Sequence, residues 1–392
     1  MKNKNKQLTA EQKKLRIGKY LKNSTIAGES FESYMPSKLP IDPPIDMEDI
    51  YPLLDKANAS LGRLDGISLA LPNPSLFLYM YVRKEAVLSS QIEGTQSSLS
   101  DLLLFENNQQ SISSSIDDAA EVSSYVVATN YSIERLKTLP LSLRLIKETH
   151  KKLMNNSRGN NKNPGEFRSS QNWIGGSRPG NAIFVPPPPE KLMECLDNLE
   201  KFLHDEKIQI PILIRAAIAH LQFETIHPFL DGNGRIGRLL ITLMLYNDGI
   251  LKQPCLYLSL YFKTNRQEYY NHLQNVRKNG DFESWIKFFL TGVEETANDA
   301  IATAQNIITL FKQDSQLIES HKNITPNLLT LYKFLQDNPI TNTNQIKENL
   351  KISLPTIIRN LEILQNIGIV QEITKKERNK IFIYEKYLDI LK

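Results

Sequence analysis

The stretch His227-Pro228-Phe229-Leu230-Asp231-Gly232-Asn233-Gly234-Arg235-Ile236-Gly237-Arg238 gathers a base, a hard oxygen ligand, a glycine turn and two guanidinium groups within twelve residues. Gly232 and Gly234 let backbone N–H groups turn toward one point and allow an anion to approach closely. Where a helix begins at that point, its positive end favours phosphate there as well. Arg235 and Arg238 are three apart, so they project from neighbouring parts of one helix face and can clamp a polyphosphate. Asp231 suits the magnesium that accompanies ATP. His227, beside the glycine turn rather than inside it, is placed as a general base. The glycines match neither the P-loop spacing, which needs Gly-Lys-Ser/Thr, nor the dinucleotide fingerprint after a strand. A glycine turn alone is a weak signal; the combination is a sharper one.

Such a turn must be held by its neighbours. Helical periodicity covers Pro211 to Thr225 before it and Gly234 to Tyr246 after it, which predicts a loop followed by a helix start. Upstream, a helix is expected from near Ser75 to Ile92, stopped by Gly94, with others over Ala119 to Leu136, Leu141 to Met154 and Glu190 to Leu203. Between Asn155 and Pro189 the glycines and Pro186 to Pro189 exclude a long helix. The short apolar pieces Trp173-Ile174 and Ala182-Ile183-Phe184-Val185 suit a β-hairpin. Helix resumes over Arg266 to Val276, Phe282 to Gly292, and Glu294 to about Ser320. The segment Asn107 to Asp118, rich in Asn, Gln and Ser, reads as a mobile loop or partner-facing insertion. Lys13, Lys14, Arg16, Lys19 and Lys22, against a lone Glu11, read as a solvated basic arm.

From Thr325 the pattern changes. Three helical pieces precede two β-like runs, Ile369 to Thr374 and Ile381 to Tyr384, around the polar turn Lys375 to Lys380. Three helices and a β-ribbon suggest a winged helix-turn-helix, with Lys375, Lys376, Arg378 and Lys380 at the wing tip. Glutamates 348, 362, 372 and 377 are interspersed, so DNA binding and a protein-interaction or dimerisation role both stay open.

The bulk properties set the frame. A chain of 392 residues exceeds one core, since domains hold roughly 100 to 200 residues, and two or three are expected. Hydrophobic content of 41% and charged content of 23% are ordinary for a soluble protein, and a net charge of +4 neither demands nor excludes nucleic acid. Cys195 and Cys255 build no disulfide framework and lack zinc-site spacing, which fits a reducing cytoplasm. No apolar run is long enough to span a bilayer, and Met1 to Lys6 does not lead into a secretory signal.

The His227 to Arg238 stretch resembles the signature of the Fic family, His-x-Phe-x-Asp/Glu-Gly-Asn-Gly-Arg-x-x-Arg, at every specified position. In that family the motif transfers AMP from ATP to Ser, Thr or Tyr of target proteins. The resemblance makes His227 the base, Asp231 the magnesium ligand, Gly232, Asn233 and Gly234 the anion hole, Arg235 and Arg238 the phosphate ligands, and Phe229 a core anchor. Ser89-Ser90-Gln91-Ile92-Glu93-Gly94 is similar to the family's inhibitory motif, Ser/Thr-x-x-x-Glu-Gly/Asn, which implies that Glu93 reaches Arg238 and occupies γ-phosphate space. Pro164 to Arg168 and Asn172 to Gly175 look like the approach to the family's flap, a hairpin that holds target segments by strand addition and here includes Gly175, Ile183, Phe184 and Val185. Tyr269, Tyr270 and Leu273 resemble the adenine-side wall, or equally are simple core packing. His220 reads as a structural hydrogen-bonding residue rather than a metal ligand.

The expected molecule is mainly α. It has a basic arm (1–30), a helical region carrying Glu93 (31–118), a Fic core (119–300), a connecting helix (301–324) and the winged helix (325–392). The expected function is a protein adenylyltransferase using ATP and Mg2+, acting on a target protein or itself, with a homodimer left open. A rival is a DNA-binding regulator whose nucleotide pocket senses ATP, and some Fic enzymes remove AMP or transfer other phosphate-containing groups.

Overall fold

A computed structural model describes residues 8–25, 28–70, 74–106, 116–155, 160–374 and 380–391. The expected wing-tip residues Lys375, Lys376 and Arg378, and residues 107–115 of the expected mobile segment, lie outside the described residues. In chain order the elements begin with α1 (Ala10–Lys14), β1 (Lys19–Ser24), β2 (Ser30–Met35), α2 (Tyr51–Ala70), α3 (Pro74–Ile92), α4 (Leu99–Glu106), α5 (Ile116–Leu136) and α6 (Leu143–Leu153). They continue with α7 (Pro189–His204), α8 (Ile212–Ile226), α9 (Asn233–Asn247), α10 (Ser259–Thr264), α11 (Arg266–Asn279) and α12 (Phe282–Glu319). The C-terminal part adds α13 (Pro326–Asp337), β3 (Ile340–Asn342), α14 (Thr343–Leu350), α15 (Leu354–Asn366), β4 (Gln371–Glu372), β5 (Ile381–Ile383) and α16 (Glu385–Leu391). The architecture is mainly helical.

The core is built around α8, which is buried on every side from Ala216 to Ile226, as a helix inside a bundle must be. It packs on α7, α9 and α12. The Trp285 indole N–H donates to the Ala217 carbonyl at 2.9 Å and fixes α12 against it. Proline 228 disfavours helical geometry at the residue before it, so α8 stops at Ile226 and His227 turns left-handed (φ 50°). Gly232, also left-handed (φ 77°), returns the chain into α9.

Two expectations change here. Two helices meeting at Gly292 are instead one, because α12 runs unbroken from Phe282 to Glu319. The glycine serves packing: a Cβ at Gly292 would lie 2.5 Å from the Tyr261 ring. The expected solvated arm is folded from residue 8 onward. Arg16 is buried, donates to the Pro43 and Pro44 carbonyls at 2.7 and 2.5 Å, and pairs with Glu283 at 2.9 Å. Lys13 pairs with Asp281 at 2.6 Å, and β1 and β2 form an antiparallel hairpin from Lys19↔Met35 to Ser24↔Ser30. Lys13 and Arg16 thus have acidic partners on the far side of the sequence, while Lys14, Lys19 and Lys22 are exposed as expected.

After α12, helices α13 to α15 accompany an antiparallel sheet of order β3-β5-β4. Tyr384 joins this part to α12 through its hydrogen bond to Asp314, Tyr332 does so by donating to the Phe311 carbonyl at 3.2 Å, and α16 packs on both α12 and α3.

Candidate active site

The loop between α8 and α9 is held by its carbonyls. Arg168 Nε and Asn172 Nδ2 donate to the His227 carbonyl at 3.0 and 3.2 Å. Asn172 Nδ2 and Asn233 Nδ2 donate to the Phe229 carbonyl, each at 2.9 Å, and Asn233 Oδ1 accepts the Phe229 N–H at 2.8 Å. Gly165 N–H donates to His150 Nδ1 at 2.9 Å, which leaves Nε2–H to donate to the Asp231 carbonyl at 3.0 Å. The His150 ring also stacks on the buried Phe229 ring, 3.7 Å between centroids. Satisfied buried networks of this kind rigidify a site. Asn233 therefore serves the loop with its side chain, and only its backbone N–H is left for the expected anion hole. Arg168, Asn172 and His150 are the supports that sequence reasoning did not single out for this role.

His227 sits where burial disfavours a charged ring. Its pKa falls to about 4, with the Glu93 carboxylate pulling it up and Arg277 and Arg168 pushing it down. The imidazole is neutral at neutral pH, the state a proton acceptor needs.

Arg235 and Arg238 are both buried, but they diverge rather than sharing one face. Arg235 Nη1 pairs with Glu121 Oε1 on α5 at 2.5 Å, and its Nη2 is 3.6 Å from Asp231 Oδ1. Arg238 Nε donates to Ser89 Oγ, and Nη2 to the Ser89 carbonyl, both at 2.9 Å. Nη2 also meets Glu93 Oε1 at 2.7 Å. Burial opposes the Glu93 charge, but Arg238, by charge and hydrogen bond, outweighs it and holds the carboxyl below its ordinary range. Glu93 lies directly on the start of α9, since a Cβ at Gly234 would be 2.2 Å from Glu93 Oε1. Its carboxylate thus occupies the place where the free N–H groups of a helix start would receive an anion.

Two buried carboxyls flank Arg238 and were not foreseen. Glu85 accepts from Ser259 Oγ at 2.5 Å and from Tyr125 OH at 3.3 Å, and burial pushes its pKa up to about 7. Glu224 on α8 is likewise raised by burial to about 7, against the opposing pull of Arg238.

Of the three residues of the expected adenine wall, two are buried and one is exposed. Tyr269 is buried and donates its hydroxyl to His220 Nε2 at 2.9 Å, while His220 Nδ1 donates to the Gly237 carbonyl at 2.8 Å. Both belong to the core, and Leu273 is buried with them. Tyr270 alone presents its ring outward, 37% exposed, and it is close enough to Glu93 and Arg238 to feel both charges.

The expected flap hairpin reduces to one antiparallel bridge, Ile174↔Phe184. Glycines 175 and 176 both turn left-handed, and the prolines after Val185 have no N–H to extend a ladder. Phe184 and Val185 face inward: Arg277 lies 3.8 Å from the Phe184 ring centroid, and the Val185 carbonyl accepts the Tyr34 N–H of β2 at 2.9 Å. Ile183 is 73% exposed and stands beside Gly175. Among the described residues no three His, Cys, Asp or Glu side chains are grouped so that they could hold a metal ion, and no helix is long and apolar enough to cross a membrane.

Residues 51–134 match the Fic/DOC family N-terminal model, and residues 140–245 match the Fic/DOC family model. Over 250 residues the chain is 29% identical to the protein adenylyltransferase Fic of Aedes aegypti, covering 62% of this chain and 46% of that one. It is 31% identical over 189 residues to the protein adenylyltransferase fic-1 of Caenorhabditis elegans, covering 47% and 33%. The chain thus spans about a third to a half of the length of these curated relatives. A Fic family protein from Desulfovibrio desulfuricans superposes with a TM-score of 0.59 at 20% identity, covering 87% of this chain and 97% of that one, so the two share a fold.

Proposed function

From the premise that this chain belongs to the Fic/DOC family, we propose that it transfers AMP from ATP to a Ser, Thr or Tyr hydroxyl of a target protein or of itself. The observation that carries the reading is a neutral His227 on a rigidly held turn beside the start of α9, where Gly234 opens space for an anion and two arginines stand behind it. In this reading the ATP phosphates settle on the first N–H groups of α9, between Arg235 and Arg238. His227 takes the proton from the target hydroxyl, and that oxygen forms a bond to the α-phosphorus. The bond from the α-phosphorus to its bridge oxygen breaks, and pyrophosphate leaves. The helix N-terminus and guanidiniums, already oriented, stabilise the charge that develops. Asp231, half exposed beside the glycine turn, would hold magnesium. A single carboxylate fits that ion, whose contribution would be to neutralise phosphate charge.

Glu93 holds the reaction back, because its carboxylate takes the Arg238 guanidinium and the α9 start that the phosphates need. An electron-poor carboxylate held by arginine is a weak base, which favours inhibition over AMP removal as its role. We read the C-terminal module as a winged helix-turn-helix. The exposed side of α15 carries Leu354, Ile358, Arg359 and Glu362, a mixture that suits a protein partner better than a phosphate backbone. The buried, free Cys195 and Cys255 suit a reducing, cytoplasmic setting.

Position of the label in ATP tests the chemistry. The Glu93→Gly variant should retain label from α-phosphate-labelled ATP on protein and none from γ-labelled ATP. Retained γ label would mean phosphoryl transfer, and no retained label with intact ATP binding would favour a sensor.

A further inference from the structure

The end of α3 has a second set of anchors, from α10 and α11. Arg266 Nη2 donates to the Ile92 carbonyl at 3.1 Å, and Lys263 Nζ donates to Gln91 Oε1 at 2.7 Å. Gln91 Nε2 passes the contact on to the Ser97 carbonyl at 2.9 Å. The Ile92 carbonyl belongs to the last turn of α3, where no further helical N–H can reach it, and a cation there also suits the negative end of the helix. Glu93 follows immediately, with its N–H on the Ser90 carbonyl at 3.0 Å, so its backbone position depends on where this last turn ends. Arg266 is kept in place by the Tyr270 ring, 5.8 Å from guanidinium carbon to ring centroid.

We propose that Arg266 is a positioning residue for Glu93: its bond to the Ile92 carbonyl fixes the last turn of α3 so that the Glu93 carboxylate stays on Arg238 and over Gly234. The inference rests on the reading of Glu93 as inhibitory and adds the group that keeps it seated. Arg266 is an exposed residue, so the clasp is exchangeable and graded, unlike the contact made by the buried Arg238. Loss of one such bond should speed AMP incorporation by about 3- to 10-fold, the scale of a single net hydrogen bond.

The test is the initial rate of AMP incorporation with ATP and Mg2+ for the full chain, for Arg266→Ala, Arg266→Lys and Glu93→Gly, and for Glu93→Gly combined with Arg266→Ala. Melting temperature is measured alongside, and Arg266→Gln replaces the alanine variant if that fails to fold. The proposal requires a faster Arg266→Ala, an Arg266→Lys between it and the parent, and no added effect of Arg266→Ala once Glu93 is gone. An unchanged Arg266→Ala beside a fast Glu93→Gly overturns the clasp and leaves the inhibitory reading standing. A double variant slower than Glu93→Gly, with a raised KM for ATP, makes Arg266 part of the nucleotide site and also overturns it. A Glu93→Gly no faster than the parent removes the inhibitory reading and the clasp together.

Discussion

His227 and the carboxyls near Arg238 are governed by the same desolvation, with opposite consequences. Burial keeps His227 neutral, its pKa near 4, and Glu93 is the charge that pulls this value up. Removing Glu93 moves the base further from protonation, so the Glu93→Gly rate should be flat from about pH 6 to 8 on the histidine account. An acidic limb centred near 6.5, the ordinary histidine value, would show a solvated ring instead. Glu85, raised to about 7, stays protonated in the folded protein where the unfolded chain would ionise. Its stabilising contribution is complete below about pH 4.5 and is lost as pH rises toward 7. Glu85→Gln, which mimics the protonated form, should match the parent at pH 4.5 and exceed it by roughly 2–3 kcal/mol at pH 8. Equal thermal stability at both pH values would place a charged, solvated carboxylate there. The reacting stretch was legible because His, Asp, two glycines and two arginines stand close together in sequence. Glu85 and Glu224 were not, since a carboxylate inside a helical pattern looks like a solvated position until its neighbours are known.

At the scale of elements, the α8–α9 turn depends on side chains brought from elsewhere. Asn172 spans the His227 and Phe229 carbonyls, and Asn172→Ala leaves both without that donor. In the Glu93→Gly background this should lower kcat by about 10-fold with little change in the KM for ATP, a loss on the scale of one or two hydrogen bonds. A raised KM with unchanged kcat would assign Asn172 to ATP binding. The ends of α3, α8 and α9 could be read from helical periodicity and from Gly94, Pro228 and Gly232, because those signals are local. The flap was over-read as a full hairpin. Its short apolar pieces do pair at Ile174 and Phe184, but Val185 bonds to Tyr34 of β2, a partner far upstream. Gly292 looked like a helix stop for a similar reason, since the Tyr261 ring that needs its bare Cα is remote in sequence.

For the molecule as a whole, the N-terminal residues close the structure over α12. Arg16→Ala would leave Glu283 buried without its guanidinium partner, and a cost of about 3–5 kcal/mol is expected. A thermal denaturation curve within error of the parent would return the segment to solvent. Its basic character read as a solvated arm because Asp281 and Glu283, the groups that neutralise it, are more than 260 positions away. At the other end of the chain α16 packs on α3, the helix that Glu93 follows directly. We propose AMP transfer run by His227 and restrained by Glu93. Intact-protein mass spectrometry after incubation with ATP and Mg2+ tests it most directly, on the parent, Glu93→Gly, and Glu93→Gly combined with His227→Ala. The account predicts an AMP-sized mass increase in Glu93→Gly that is absent from the double variant. An equal adduct in the double variant, or none on any form or on added lysate proteins, would contradict it.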